Sequence, residues 1–256
     1  MGRTDTGERR KTRDCLVQKA GMAGLITKRK VKEMLDKNVL KSQTELVIFD
    51  MDGLMLDTER YFYLGIEEAF SRENIQVNME EYKKTLGTVN KVEMQKFNQS
   101  AYADEEIAKM KEEVVAHLRE KLCQEGAPVK KGLKELLEAL RARAIKRVVA
   151  TSTPRVWAEK YLTSAEIEKE FAYIVTGEEV RAGKPQPDIF LKAAEKAGVA
   201  PEKCLILEDS YAGGLAAKRA GIPYIIVPDI NPPSEEIKGS ALFVAESLCE
   251  VAALFK

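Results

Sequence analysis

The sequence predicts an α/β fold, a parallel-sheet core with an inserted α-helical cap domain. Three observations carry that expectation. Short, almost wholly apolar runs alternate with helix-length segments, polar residues suited to chemistry stand directly after several of those runs, and one long helical stretch breaks the alternation.

The apolar runs are Leu46 to Phe49, Arg147 to Ala150, Ala172 to Val175, Cys204 to Leu207, Tyr224 to Val227 and Leu242 to Ala245. Strands that read as continuous apolar runs are buried on both faces, the condition of a parallel sheet covered by helices. Between them, Leu133, Leu136, Leu137 and Leu140 fall at helical spacing. Thr153-Pro154 offers an N-cap followed by proline at the first helical position. From the first run to Pro128 the chain is rich in Glu and Lys, with Ile107, Met110, Val114, Leu118 and Leu122 along one helical face and no convincing strand. A strand-to-helix connection normally takes about 2 to 6 residues, so this stretch reads as an insertion. The expected division is a core of residues 44–60 and 129–256 and a cap of residues 61–128.

Residues 1–43 differ in kind. Arg3, Arg9, Arg10, Lys11, Arg13 and Lys19 outnumber nearby acids, and no apolar periodicity accompanies them. Such a stretch buries too little to order itself, so it reads as a basic extension, a poorly ordered tail or short surface helix, with an RNA- or partner-binding arm as the alternative.

Acidic and basic residues balance at 41 each, which leaves no overall field to recruit nucleic acid or an anionic membrane. No apolar run approaches the roughly 18 residues of a membrane span. The cysteines Cys15, Cys123, Cys204 and Cys249 are scattered without a C-x-x-C pair, which argues against a disulfide framework or zinc site. A cytoplasmic monomer is expected, acting on a partner found at a local site.

In an open parallel sheet, ligands bind beyond the carboxyl ends of the strands. Those ends carry Asp50 with Asp52, Thr151 with Ser152, and Glu208 with Asp209, and the loop after the third run carries Lys184. Carboxylates crowded on one rim repel unless a hard divalent cation sits among them, and oxygen-only ligation suits magnesium. The Thr151 hydroxyl, the amides near Ser152 and the Lys184 ammonium suit phosphoryl oxygens. Phosphoryl transfer needs such positioning and an in-line nucleophile, a role a carboxylate can take. His117 is the only histidine, too few for a Ser-His-Asp triad or a multi-histidine metal site, and reads as structural. Pro185 follows Lys184 where a phosphate-binding loop needs Ser or Thr.

The segment Phe49 to Glu59 resembles the first motif of the haloacid dehalogenase-like phosphatases, Asp-x-Asp-Gly-x-x-x-Asp-[Thr/Ser]. Thr151-Ser152 is similar to the second motif, Lys184 in Gly-Lys-Pro-x-Pro to the third and Glu208-Asp209-Ser210 to the fourth. The resemblance runs from Glu45 to the C-terminus and implies a Rossmann-like core. It implies Asp50 as nucleophile and magnesium ligand, and Asp52 as general acid and base with its backbone carbonyl on magnesium. Glu208 and Asp209 then complete the metal site, Thr151 binds the phosphoryl group and Lys184 balances charge. Asp52 favours phosphate esters, because dehalogenases and phosphonatases of the superfamily lack an aspartate there. The subgroup resembled includes β-phosphoglucomutase and sugar- or nucleoside-phosphate phosphatases. Where the mutase has a cap histidine this chain has Phe62, and the cap basic residue expected after Leu86-Gly87 is Asn90 or Lys91. Substrate contacts are expected at Ser152, Glu59, Phe62, Gly87 and Lys91. The expectation is a magnesium-dependent phosphatase of small phosphorylated metabolites working through an aspartyl-phosphate, with a mutase or a non-catalytic phosphosugar-binding protein as alternatives.

Overall fold

The computed structural model describes residues 43–83 and 102–256. Gly87, Asn90, Lys91 and nearly all of the basic extension lie outside the described residues. Six strands form one parallel sheet: β1 (Leu46–Phe49), β2 (Lys146–Thr151), β3 (Ile174–Thr176), β4 (Cys204–Glu208), β5 (Tyr224–Ile226) and β6 (Phe243–Val244). Their spatial order is β3-β2-β1-β4-β5-β6. The six apolar runs are these six strands, the outermost shortened to two residues.

All four β1 residues are fully buried, as are those of β4 apart from 2% exposure at Cys204. Leu46 and Ile48 enter a cluster with Ile189, Phe190 and Ala193 of α6 (Asp188–Ala197) and with Ala216 and Ala217 of α7 (Tyr211–Ala220). Side chains alternate along a strand, so Val47 and Phe49 face the other layer. That layer includes α4 (Leu133–Ala142), whose four periodic leucines are at most 2% exposed and which packs on α8 (Leu248–Phe255). Each such side chain withdrawn from water contributes about 1.5 to 3 kcal/mol, which explains why the strands with the longest apolar runs sit at the centre.

Among the described residues the insertion is largely helical, with α1 (Thr58–Ser71), α2 (Met79–Lys83) and α3 (Asp104–Glu125). Tyr63, Ile66, Phe70, Ile75, Tyr82, Ile107 and Leu118 pack into a cluster of their own, with Met110 and Val114 on its edge. The predicted α3 stripe is therefore the buried face of the cap. Cap and core meet where α3 lies along α5 (Arg155–Ser164): Lys160 pairs with Glu120 at 3.2 Å, and the Arg119 guanidinium lies 5.3 Å from the centre of the Trp157 ring. No helix among the described residues is long and apolar enough to cross a membrane.

One local expectation fails. Helix α5 begins at Arg155 with Pro154 as its N-cap, one residue later than predicted. A proline has no side-chain acceptor for a cap, and Glu178 Oε2 takes the Arg155 N–H instead, at 2.8 Å. Thr153 is thereby released for a different bond.

Candidate active site

The chain runs outward from β1 to β3, returns to β4 beside β1, and runs outward again to β6. Connections leaving β1 and β4 diverge, which opens a crevice at their carboxyl ends. Phe49 pairs with Leu207, and the Asp50 N–H donates to Leu207 O at 3.0 Å, so Asp50 emerges beside Glu208.

Lys184 lies in the loop between β3 and α6 and is 5% exposed. Its Nζ donates to Asp50 Oδ1 and to Glu208 Oε1, the latter at 2.6 Å. Glu208 Oε2 accepts three further bonds: from Asp209 N and Ser210 N at 2.8 Å each and from Ser210 Oγ at 3.0 Å. Burial penalises the Glu208 charge, yet Lys184 and Ser210 outweigh it and hold the carboxyl below its usual value. Burial likewise opposes the Lys184 charge, and Asp50 and Glu208 together overcome it, so its pKa is raised. Asp50 competes less well for the shared ammonium: burial first, then the negative Glu208, pushes it up to about 8 against the pull of Lys184. Asp209 is raised well above its ordinary value by burial, Glu208 and Asp50.

Ligand oxygens of Asp50, Glu208 and Asp209 lie within 4.8 Å of one another. Three convergent carboxylate oxygens, two belonging to groups that resist ionisation as they stand, fit a hard divalent cation. The donor set contains no nitrogen or sulfur, which suits magnesium.

The Asp52 carboxylate is outside that set. Its Oδ1 accepts from Thr58 Oγ1 at 2.7 Å, and its Oδ2 accepts from Thr153 Oγ1 at 2.7 Å and Thr151 Oγ1 at 3.3 Å. Any contact of Asp52 with a cation is therefore left to its backbone. Thr151 Oγ1 in turn accepts the Thr153 N–H at 3.0 Å, closing the turn after β2 around Asp52. Gly53, with φ of 81°, turns the chain between Asp52 and the cap, and a Cβ there would stand 2.3 Å from Asp209 Oδ2. Both the conformation and the approach require glycine.

The model for the family described as haloacid dehalogenase-like hydrolase matches residues 47–227. The chain belongs to this family. Among the relatives is a phosphorylated carbohydrates phosphatase of Thermotoga maritima, 30% identical over 77% of this chain and 92% of that protein. Another, hexitol phosphatase B of Escherichia coli, is 28% identical over 71% of this chain and 82% of its own length. The crystal structure of CbbY from Rhodobacter sphaeroides in complex with phosphate superposes with a TM-score of 0.65 at 28% identity, covering 81% of this chain and 96% of that one. The haloacid dehalogenase-like fold thus extends through the cap as well as the sheet.

Within this family fold, the residues expected at the site separate into three groups. Asp50, Asp52, Thr151, Lys184, Glu208 and Asp209 converge at the strand ends. Glu59, in the first turn of α1, points the same way. Burial, then Asp52, Asp229 and Asp50, pushes it up to about 8, and Tyr82 Oη donates to its backbone carbonyl at 3.1 Å. Ser152 is half-buried in the turn after β2. Phe62, by contrast, packs at the margin of the cap cluster, with its ring edge-on to Tyr61. Gly87 and Lys91 lie outside the described residues. His117 is exposed in a surface groove between α1 and α3 rather than packed inside the cap. Sequence reasoning gave no site role to Thr58, Thr153, Ser210, Gly213 or Asp229, although Thr58 and Ser210 stand within the quoted motifs. For Asp229 a signal existed, since it stands just beyond β5 and the strand-end rule reaches it.

Proposed function

We propose that this phosphoric monoester hydrolase of the haloacid dehalogenase-like family is a magnesium-dependent phosphatase of small phosphorylated metabolites, sugar or nucleoside phosphates, acting through an aspartyl-phosphate on Asp50. The observation that carries the proposal is the pairing of two aspartates in different environments two residues apart. Asp50 sits among an ammonium and two carboxylates, and Asp52 sits among three hydroxyls. The first environment suits a nucleophile beside a cation, and the second orients Asp52 through hydroxyls that can donate to its carboxylate or accept from its protonated form.

Asp50, Glu208 and Asp209, with the Asp52 backbone carbonyl, would hold magnesium, which when bound supplies positive charge against the carboxylates and the phosphoryl oxygens. An Asp50 oxygen attacks phosphorus, the bond from phosphorus to the ester oxygen breaks, and Asp52 gives its proton to the departing alkoxide. Water then attacks the same phosphorus, Asp52 takes the proton back, and Asp50 is released as a carboxylate. Lys184 keeps Asp50 oriented and offsets its charge, and Thr151 with the amides near Ser152 faces the phosphoryl oxygens.

For the substrate, the names of the relatives point to phosphorylated carbohydrates and polyols. Glu59 supports a hydroxylated leaving group, because its carboxyl can hydrogen-bond alcohol groups. We assign the cap to residues 61–128, between core segments 44–60 and 129–256, on the strength of its separate apolar cluster.

Purified protein assayed for phosphate release over sugar, polyol and nucleoside monophosphates, with magnesium and with chelator, tests this. Magnesium-dependent release that disappears in Asp50→Asn is expected. Release that persists in that variant, or conversion of one sugar phosphate isomer into another without free phosphate, would overturn it.

A further inference from the structure

Asp229 has no part in the chemistry above. It stands beyond β5 in Val227-Pro228-Asp229, and its side chain is only 3% exposed. Oδ1 accepts from Lys130 Nζ at 2.5 Å, and Lys130 also lies 3.8 Å from Asp57 Oδ1. Oδ2 is buried without a hydrogen-bond partner among the described residues. A carboxylate oxygen cut off from both water and donors costs on the order of 1 to 3 kcal/mol or more, so an interior that retains one has a use for it.

The direction of Oδ2 indicates that use. A Cβ on Gly53 would stand 2.3 Å from Asp209 Oδ2 and 3.3 Å from Asp229 Oδ2, so the two carboxylates converge over one glycine. Asp229 is not among the carboxylates whose oxygens come within 4.8 Å of one another, which leaves it just outside a ligand's place. Magnesium-like cations dehydrate reluctantly and keep several waters, and those waters donate strongly. Lys130 holds the acceptor still, being tied to the turn before α1 by its own N–H, which donates to Met55 O at 2.8 Å.

We propose that Asp229 is a positioning residue for the cation, its Oδ2 accepting a hydrogen bond from a cation-bound water between it and Asp209. The inference rests on the cation reading under Proposed function. An ion pair kept only for stability would need Oδ1 and Lys130 alone, whereas this role needs the second oxygen as an acceptor.

Manganese serves as the probe, its binding to the full chain followed by electron paramagnetic resonance of the free ion. Asp229→Asn keeps an oxygen for Lys130 and replaces the acceptor with a donor. Loss of an outer partner of this kind typically weakens metal affinity by about 10- to 100-fold, and that loss is expected here. The double variant Asp229→Asn with Lys130→Met restores the local charge balance and removes the ammonium that would face a neutral partner, so it also serves if the single variant does not fold. Its affinity is expected to stay at least about tenfold below wild type, with an unchanged circular dichroism spectrum. Wild-type affinity in Asp229→Asn, or its recovery in the double variant, would overturn the acceptor role. Asp209→Asn separates the two failures: binding lost there but intact in Asp229→Asn sinks this inference alone, and wild-type protein that binds no manganese sinks the cation reading as well.

Discussion

Gly213 lies in the first turn of α7, and a Cβ added to it would stand 1.7 Å from Glu208 Oε1 and 1.9 Å from the carboxyl carbon. No rotation of a fully buried carboxylate relieves that overlap while keeping its bonds, so Gly213→Ala must displace Glu208. The displacement strains or breaks the Lys184 contact at 2.6 Å and the bonds from Asp209 N, Ser210 N and Ser210 Oγ. Hydrogen bonds to a charged group contribute about 1.5 to 3 kcal/mol each, and overpacking a well-filled site costs about 1 to 3 kcal/mol more. Helix propensity works the other way, but alanine gains only about 1 kcal/mol over glycine. Loss of even two of the four bonds therefore predicts a destabilisation of about 3 kcal/mol or more, together with a weakened cation site. Equilibrium urea unfolding gives the first and manganese titration the second. A Gly213→Ala protein with wild-type unfolding midpoint, manganese affinity and phosphate release would refute the placement of Glu208 against α7.

Further consequences concern the surrounding groups. Lys184→Met leaves Asp50 and Glu208 facing each other without their shared ammonium; breaking a buried pair costs about 3 to 5 kcal/mol, so unfolding at lower urea and loss of phosphate release are expected, and retention of both would refute the pairing. Thr153→Val and Thr58→Val each remove one hydroxyl from Asp52 and are expected to lower kcat by about 10- to 100-fold, since general acid–base catalysis contributes about 10²- to 10⁴-fold, and to lower stability by about 1.5 to 3 kcal/mol for the one bond lost; an unchanged kcat in both would deny that the hydroxyls orient Asp52. Burial and neighbouring carboxylates hold Asp50 and Glu59 at about 8 in the folded chain, and an unfolded chain releases those protons near pH 4. The folded state thus binds more protons between those limits, and stability in chelator is expected to fall as pH rises from about 4 to about 8. Added cation should narrow the difference, and urea midpoints in chelator that rise over this interval would contradict it.

The sheet was legible because its strands carry apolar residues on both faces and alternate with helix-length segments, the pattern of a parallel sheet covered by helices. The rim was legible through one rule about strand ends, which brought Asp50, Thr151, Glu208 and Asp209 together without knowledge of the fold. The support of that rim was not. Thr153 and Asp52 are 101 residues apart, and Lys130 and Asp229 are 99 apart, so neither pair leaves a periodic trace. Thr153 read as a helix cap because Thr-Pro is ordinary capping chemistry; only the later start of α5 frees its hydroxyl. Gly213 looks like one small residue among several in α7, and its necessity comes from a carboxylate on a different element. The cap was recognised by its excess length and by the α3 stripe, but its polar contact from Tyr82 to Glu59 depends on how α2 folds back over α1.

The most direct test of the central claim is to quench the enzyme with acid during turnover in magnesium, reduce it with borohydride and sequence the peptide spanning Asp50 by mass spectrometry. An aspartyl-phosphate on Asp50 predicts conversion of that residue to homoserine, dependent on substrate and magnesium and confined to Asp50. Turnover with Asp50 unmodified, or reduction at Asp52 instead, would contradict it.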